Sequence, residues 1–157
     1  MTSPLTSNHS FACIEQLDEV MHSMDWATEY RQLQPGSFSS TFTILEGESW
    51  FLLEEQSSRK VEVEAPAPDG MYMMALMEGE PAVINGQIFS ADQIFVQSPD
   101  SDLRACIPPG IRVTQVGILA EQFEEAISAV APELPVQLAG ANTIAIAPGR
   151  LAKVRRA

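Results

Sequence analysis

From Pro35 to Gly110 the chain is interrupted by turn-forming clusters every ~8–12 residues, the spacing of an all-β sandwich or barrel. The sharpest of these is Asn85-Gly86, set between Ala82-Val83-Ile84 and Gln87-Ile88-Phe89. A two-residue type I′ turn needs positive φ at both central positions, and Asn-Gly supplies it at low steric cost. A hairpin is therefore predicted there. Pro35-Gly36, Glu46-Gly47-Glu48, Pro66 to Gly70, Ser98 to Asp102 and Pro108-Pro109-Gly110 mark the other breaks.

Between the breaks, apolar residues follow strand rules. Phe38, Phe42 and Ile44 alternate with Ser39, Thr41 and Thr43, as on a half-buried strand. Trp50 to Leu53 is a short apolar run, expected to be buried on both faces. Val61 and Val63 alternate with Glu62 and Glu64. Met71 to Met77 is the most apolar run in the chain. Ile94 to Val96, Leu103 to Ile107 and Ile111 to Leu119 complete a set of about eight to ten strands by this turn spacing.

The period changes at both ends. Ile14, Leu17, Met21 and Met24 step by three and four, an amphipathic helix that Ser10 is placed to cap. Leu119, Phe123, Ile127 and Val130 do the same over 119–131, and Pro132 stops the helix. Three segments follow: a flexible leader over 1–10, a β-rich domain over 11–131, and a connecting segment over 132–157. The connecting segment is rich in Pro, Ala and Gly, and Arg150 to Ala157 begins a further helix.

Charge divides the chain unevenly. Its 157 residues carry a formal charge of −12. Residues 1–149 hold all 21 acidic residues and five of the nine basic ones, a net of −16. Arg150, Lys153, Arg155 and Arg156 give the last eight positions +4. The acidic body argues against direct nucleic-acid binding, which needs a basic surface. There is no apolar run of membrane-spanning length and no signal-peptide pattern at Met1 to Ser10, so no membrane partner is expected. Cys13 and Cys106, far apart and without a CxxC motif, fit a reduced, cytoplasmic setting.

Catalytic chemistry is poorly represented. Metal sites inside small β-barrels need several histidines converging from strands. Here His9 lies in the leader and His22 on the first helix, so no metal is implied. There is no GxSxG motif and no glycine-rich phosphate loop. Cys106 is expected to pack as a small apolar residue. Glu54/Glu55 and Glu78/Glu80 are expected at the surface, where most carboxylates lie. No catalytic residue and no cofactor is therefore expected. Candidate ligand contacts are Tyr30, Trp50, Tyr72 and Met74, with Arg31 offering charge to an anion. On the C-terminal helix, Phe123, Ile127 and Val130 form an apolar side that would either close one end of a barrel or pair two copies as a homodimer.

The stretch Trp26-Ala27-Thr28-Glu29-Tyr30-Arg31-Gln32-Leu33-Gln34-Pro35-Gly36-Ser37-Phe38 resembles the opening of the N-terminal regulatory domain of AraC-family transcription regulators. Gly70 after a loop, the Asn85-Gly86 hairpin, and Pro109-Gly110 before a last strand and helix continue the likeness over most of residues 11–131. The resemblance implies a mainly β fold: a cupin-like β-barrel with a short N-terminal helix and C-terminal helices. It also implies a domain that senses a small-molecule effector, mediates dimerisation, or both. In that family DNA is bound by a C-terminal domain with two helix-turn-helix motifs, which this chain lacks. Arg150 to Ala157 resembles the linker helix leading to it, as if the chain were cut from a longer regulator. The alternatives are a standalone metal-free cupin-fold enzyme, an isomerase or lyase acting on a small metabolite, and a pure dimerisation module.

Overall fold

A computed structural model of the chain describes residues 5–130 and 143–145. In chain order the elements are β1 (Leu5–Phe11), α1 (Ile14–Ser23), β2 (Glu29–Gln32), β3 (Ser40–Glu46), β4 (Trp50–Ser57), β5 (Val61–Pro66) and β6 (Met71–Glu78). They continue with β7 (Ala82–Ile84), β8 (Gln87–Phe89), β9 (Gln93–Gln97), β10 (Asp102–Ile107), β11 (Arg112–Leu119), α2 (Ala120–Val130) and β12 (Thr143–Ala145).

The strands form two antiparallel sheets. The larger runs β1-β3-β4-β11-β6-β9-β12 and the smaller β2-β5-β10-β7-β8. They face each other across one core, with Phe42, Ile44, Leu53 and Met77 from the larger sheet and Val61, Ile84, Phe89 and Ile107 from the smaller. The mainly β expectation holds, in the form of a jelly-roll-like sandwich and not one closed barrel. The Asn85-Gly86 hairpin forms as predicted: φ is 48° and 78° at its two residues, and Ile84 pairs with Gln87.

Several expectations are corrected. The described part of the leader is not loose: Leu5–Phe11 pairs along all seven residues with β3. Ser10 therefore faces Thr41 in a ladder and does not cap α1. Cys13 stands at that cap without a side-chain bond, while the Ala12 N–H donates to Gln16 Oε1 at 3.0 Å. His9 is on a strand after all, its ring stacked near Phe11 at 6.0 Å. β4 is not buried on both faces: Phe51, Leu53, Glu55 and Ser57 point inward, and Trp50, Glu54 and Gln56 are exposed. Cys106 is half-buried on the outer side of β10, between inward-facing Ala105 and Ile107.

Helix α2 does not close an end of the sandwich. It lies on the outer face of the larger sheet, where Phe123 and Ile127 pack with Tyr72, Met74, Ile94, Val96 and Ile118. This explains the continuous apolar run of β6. Tyr72 and Met74 meet α2, and Met71, Met73, Ala75 and Met77 meet the core, so both faces are apolar there. Of the connecting segment, only β12 falls within the described residues, paired with β9. The basic stretch 150–157 lies outside them.

Candidate functional site

The sandwich is open at one end, where a cavity of about 430 Å³ enters between the sheets. That volume lies in the range typical of small-molecule sites. Its walls come from three sources. The connection after α1 supplies Met24, Asp25, Trp26, Ala27 and Thr28. The β5–β6 segment supplies Ala65 to Asp69. Inward-facing strand residues supply Tyr30, Leu53, Val63, Met73, Gln97, Leu103 and Gln115.

Local chemistry holds these walls in place. Asp25 adopts φ 62°, which turns the chain sharply out of α1, and the Trp26 N–H returns to the Met21 carbonyl at 3.0 Å. The Trp26 ring then packs on Phe51 at 4.8 Å. The Tyr30 N–H donates to Asp18 Oδ1 at 3.0 Å, tying β2 to α1. Burial raises the Asp18 carboxyl above its ordinary range, opposed by that backbone bond.

The most unusual group lies behind the Tyr30 ring. The Tyr30 hydroxyl donates to Glu55 Oε2 at 2.9 Å, and Glu55 is only 5% exposed. Burial pushes the Glu55 carboxyl up to about 7, and the Tyr30 bond offsets part of that rise. Burial, followed by the neighbouring carboxylate, drives the Tyr30 phenol well above its usual range. Glu55 was expected at the surface. Strand parity separates Glu54 from Glu55 in the sequence, but with Trp50 to Leu53 apolar throughout it does not say which turns inward; the fold puts Glu55 on the face of Phe51 and Leu53.

Gln97 is the second buried polar group of the site, also 5% exposed. Its Nε2 donates to the Ala65 carbonyl at 3.0 Å and the Ser101 carbonyl at 2.9 Å. Two carbonyl partners identify the nitrogen end of the amide and leave Oε1 as an acceptor. Nothing in the sequence apart from its position on β9 pointed to Gln97.

Of the five expected ligand contacts, Tyr30 alone lines the cavity. Arg31 points outward and pairs with Glu62, which also holds Arg104 at 2.9 Å. Trp50 is exposed and caps Gly47 on the outer side. Tyr72 and Met74 sit on the α2 side of β6, with the Tyr72 ring 4.4 Å from that of Phe123. Their neighbour Met73 faces the cavity instead. Of the expected dimer contacts, Phe123 is buried against the chain's own sheet, Ile127 packs partly there, and Val130 is 85% exposed. Among the described residues no three His, Cys, Asp or Glu side chains converge as metal ligands, and no helix is long and apolar enough to cross a membrane.

No protein-family model matches the chain, and no curated protein matches it by sequence. Among solved structures, a quercetin 2,3-dioxygenase from Acinetobacter baumannii aligns over 58% of this chain and 34% of its own, with 15% identity and TM-score 0.46. An RmlC-like cupin from Shewanella frigidimarina aligns over 62% and 89%, with 17% identity and TM-score 0.42. The AraC-like transcriptional activator CuxR aligns over 96% of this chain, with TM-score 0.68 and 12% identity. The chain spans 58% of that activator's length and has the fold of the part it covers.

Proposed function

We propose that the chain is the regulatory domain of an AraC-type transcription regulator, sensing a small-molecule effector in its interior cavity. The observation that carries this reading is the cavity itself, about 430 Å³ between the sheets and walled by Trp26, Tyr30 and Gln97. An interior this open does not fit a pure dimerisation module with a filled core. The shared fold with an AraC-like activator supports the same reading. The domain would act in the cytoplasm as a homodimer, with DNA bound through a C-terminal helix-turn-helix domain outside this chain.

A route from ligand to readout is built into the backbone. The cavity wall at Ala67, Pro68 and Asp69 runs into Gly70, whose carbonyl accepts the Ala120 N–H at 2.8 Å, at the first turn of α2. A ligand that orders this segment favours one placement of α2. A differential affinity of about 1–3 kcal/mol between two such states suffices for regulation.

The test is a thermal-melt screen of a metabolite library not biased toward any charge class. A binding compound raises the melting temperature of the native chain. It leaves unchanged a Leu103→Trp variant, whose indole projects into the cavity and obstructs it. An effector-sized library that shifts neither protein sinks the sensing reading. The second reading, a metal-free isomerase or lyase, rests on the Tyr30–Glu55 pair as a proton relay. It requires that a binding compound be chemically altered by the native chain and that Tyr30→Phe abolish turnover without abolishing binding.

A further inference from the structure

We propose, resting on the sensing reading above, that the cavity is built for a small organic cation: an amine with an apolar body. The charged groups of its wall, Asp25 and Asp69, are acceptors, and the buried Gln97 and Tyr30 have committed their protons elsewhere, while Thr28 and Gln115 can bond in either sense. Gln97 spends both amide hydrogens on backbone carbonyls, so its nine-tenths-buried side chain offers the cavity only Oε1, which meets no donor among the described residues. The Tyr30 proton is committed to Glu55, so the Tyr30 hydroxyl offers the cavity no donor. Asp25 and Asp69 stand in the lining at the entrance, and both are exposed.

Among the described residues no Lys, Arg or His lines this cavity. The nearest candidate in sequence, Arg31, is turned away and occupied by Glu62. An anion entering here would meet two carboxylates and, among the described residues, no compensating cation. An ammonium group would find the Gln97 Oε1 and the two carboxylates, with Trp26 beside it to face either the cation or an apolar body. Donor-rich, positively charged ligands are therefore selected, and carboxylates and phosphates are rejected, by the same groups.

The experiment compares three probes of one shape: phenethylamine, 2-phenylethanol and 3-phenylpropanoate. Binding is read from Trp26 fluorescence in a Trp50→Phe background, since the chain has two tryptophans and Trp50 is remote from the cavity. The amine should bind more than tenfold tighter than the acid, with the alcohol between them, and the margin should shrink with salt. Asp25→Asn and Asp69→Asn should each weaken the amine by about two- to fivefold and leave the alcohol unchanged. Asn also tolerates the left-handed backbone at position 25.

Acid binding as tight as amine binding overturns the proposal. So does an amine affinity indifferent to both substitutions, or silence from all three probes at about 10 mM. The charge-blind library screen then separates the two readings. An anionic hit blocked by Leu103→Trp leaves the sensor standing and removes only its proposed ligand class, whereas a silent library removes both.

Discussion

Glu55 concentrates the physics of the interior in one side chain. Its carboxyl is buried and accepts from the Tyr30 hydroxyl. The folded chain therefore holds the proton more tightly than the unfolded chain, with a value near 7 against an ordinary 4.5. The stabilisation from the protonated form is complete below the unfolded value and is lost as pH rises through the folded one. Across that window the loss is about 3 kcal/mol. Asp18, also raised by burial, adds a smaller contribution of the same sign, whereas Glu62, lowered first by its Arg104 bond, acts in the opposite sense. Urea denaturation should show the native chain more stable near pH 5 than near pH 8. Glu55→Gln should flatten most of this slope, because the amide oxygen still accepts from Tyr30 and carries no charge. An unchanged slope in that variant would place the titration elsewhere.

At the level of elements, β11 runs down the middle of the larger sheet, paired with β4 on one side and β6 on the other. Gly117 lies on its inner face opposite Phe51. A Cβ added at Gly117 would run into the Phe51 ring, and the ring is held on its far side by Trp26. Glycine is required here for close packing and not for its φ. Gly117→Ala should cost about 1–3 kcal/mol of overpacking strain and, by displacing Phe51, disturb Trp26 at the cavity wall. A calorimetric melt together with Trp26 emission checks both. A neutral substitution would mean the ring moves freely.

The same parity argument shows where the sequence was legible and where it was not. β3 and β5 alternate because one face is wet, so their inward faces could be read, whereas β4 opens on four apolar residues and hides which of Glu54 and Glu55 turns inward. β6 is apolar on both faces because α2 covers the outer one. Nothing in Met71 to Met77 alone distinguishes Met73, in the cavity, from Met74, under α2. β1 was hidden for a different reason. An edge strand made of Thr6, Ser7, Asn8 and Ser10 carries little apolar signal, and its ladder with β3 is a tertiary fact.

For the whole molecule, the open question is which surface a second copy would use. The helix α2 has spent its best apolar residues internally: Phe123 is 7% exposed and Ile127 packs on the same cluster. What α2 turns outward is acidic, with Glu121, Glu124 and Glu125 exposed, except for Val130 at its end. Pairing two copies of this face brings like charges together, in a body already at −16 over residues 1–149. A dimer through α2 must therefore gain its contact near Val130, beyond the carboxylates, and should strengthen with salt. A second exposed apolar patch among the described residues is Val83 and Ile88, 42% and 72% exposed, cross-strand partners beside the β8 edge. Two substitutions distinguish these surfaces. Val130→Lys removes an exposed contact, so it should lower the dimer fraction in sedimentation velocity and leave the melting temperature unchanged. Phe123→Ala should act through the fold, costing about 3 kcal/mol from lost burial whatever the oligomeric state. If Val130→Lys leaves the dimer intact and Ile88→Lys dissolves it, the interface lies on the smaller sheet. The α2 contact to Gly70 would then report ligand occupancy within one chain, not across a dimer.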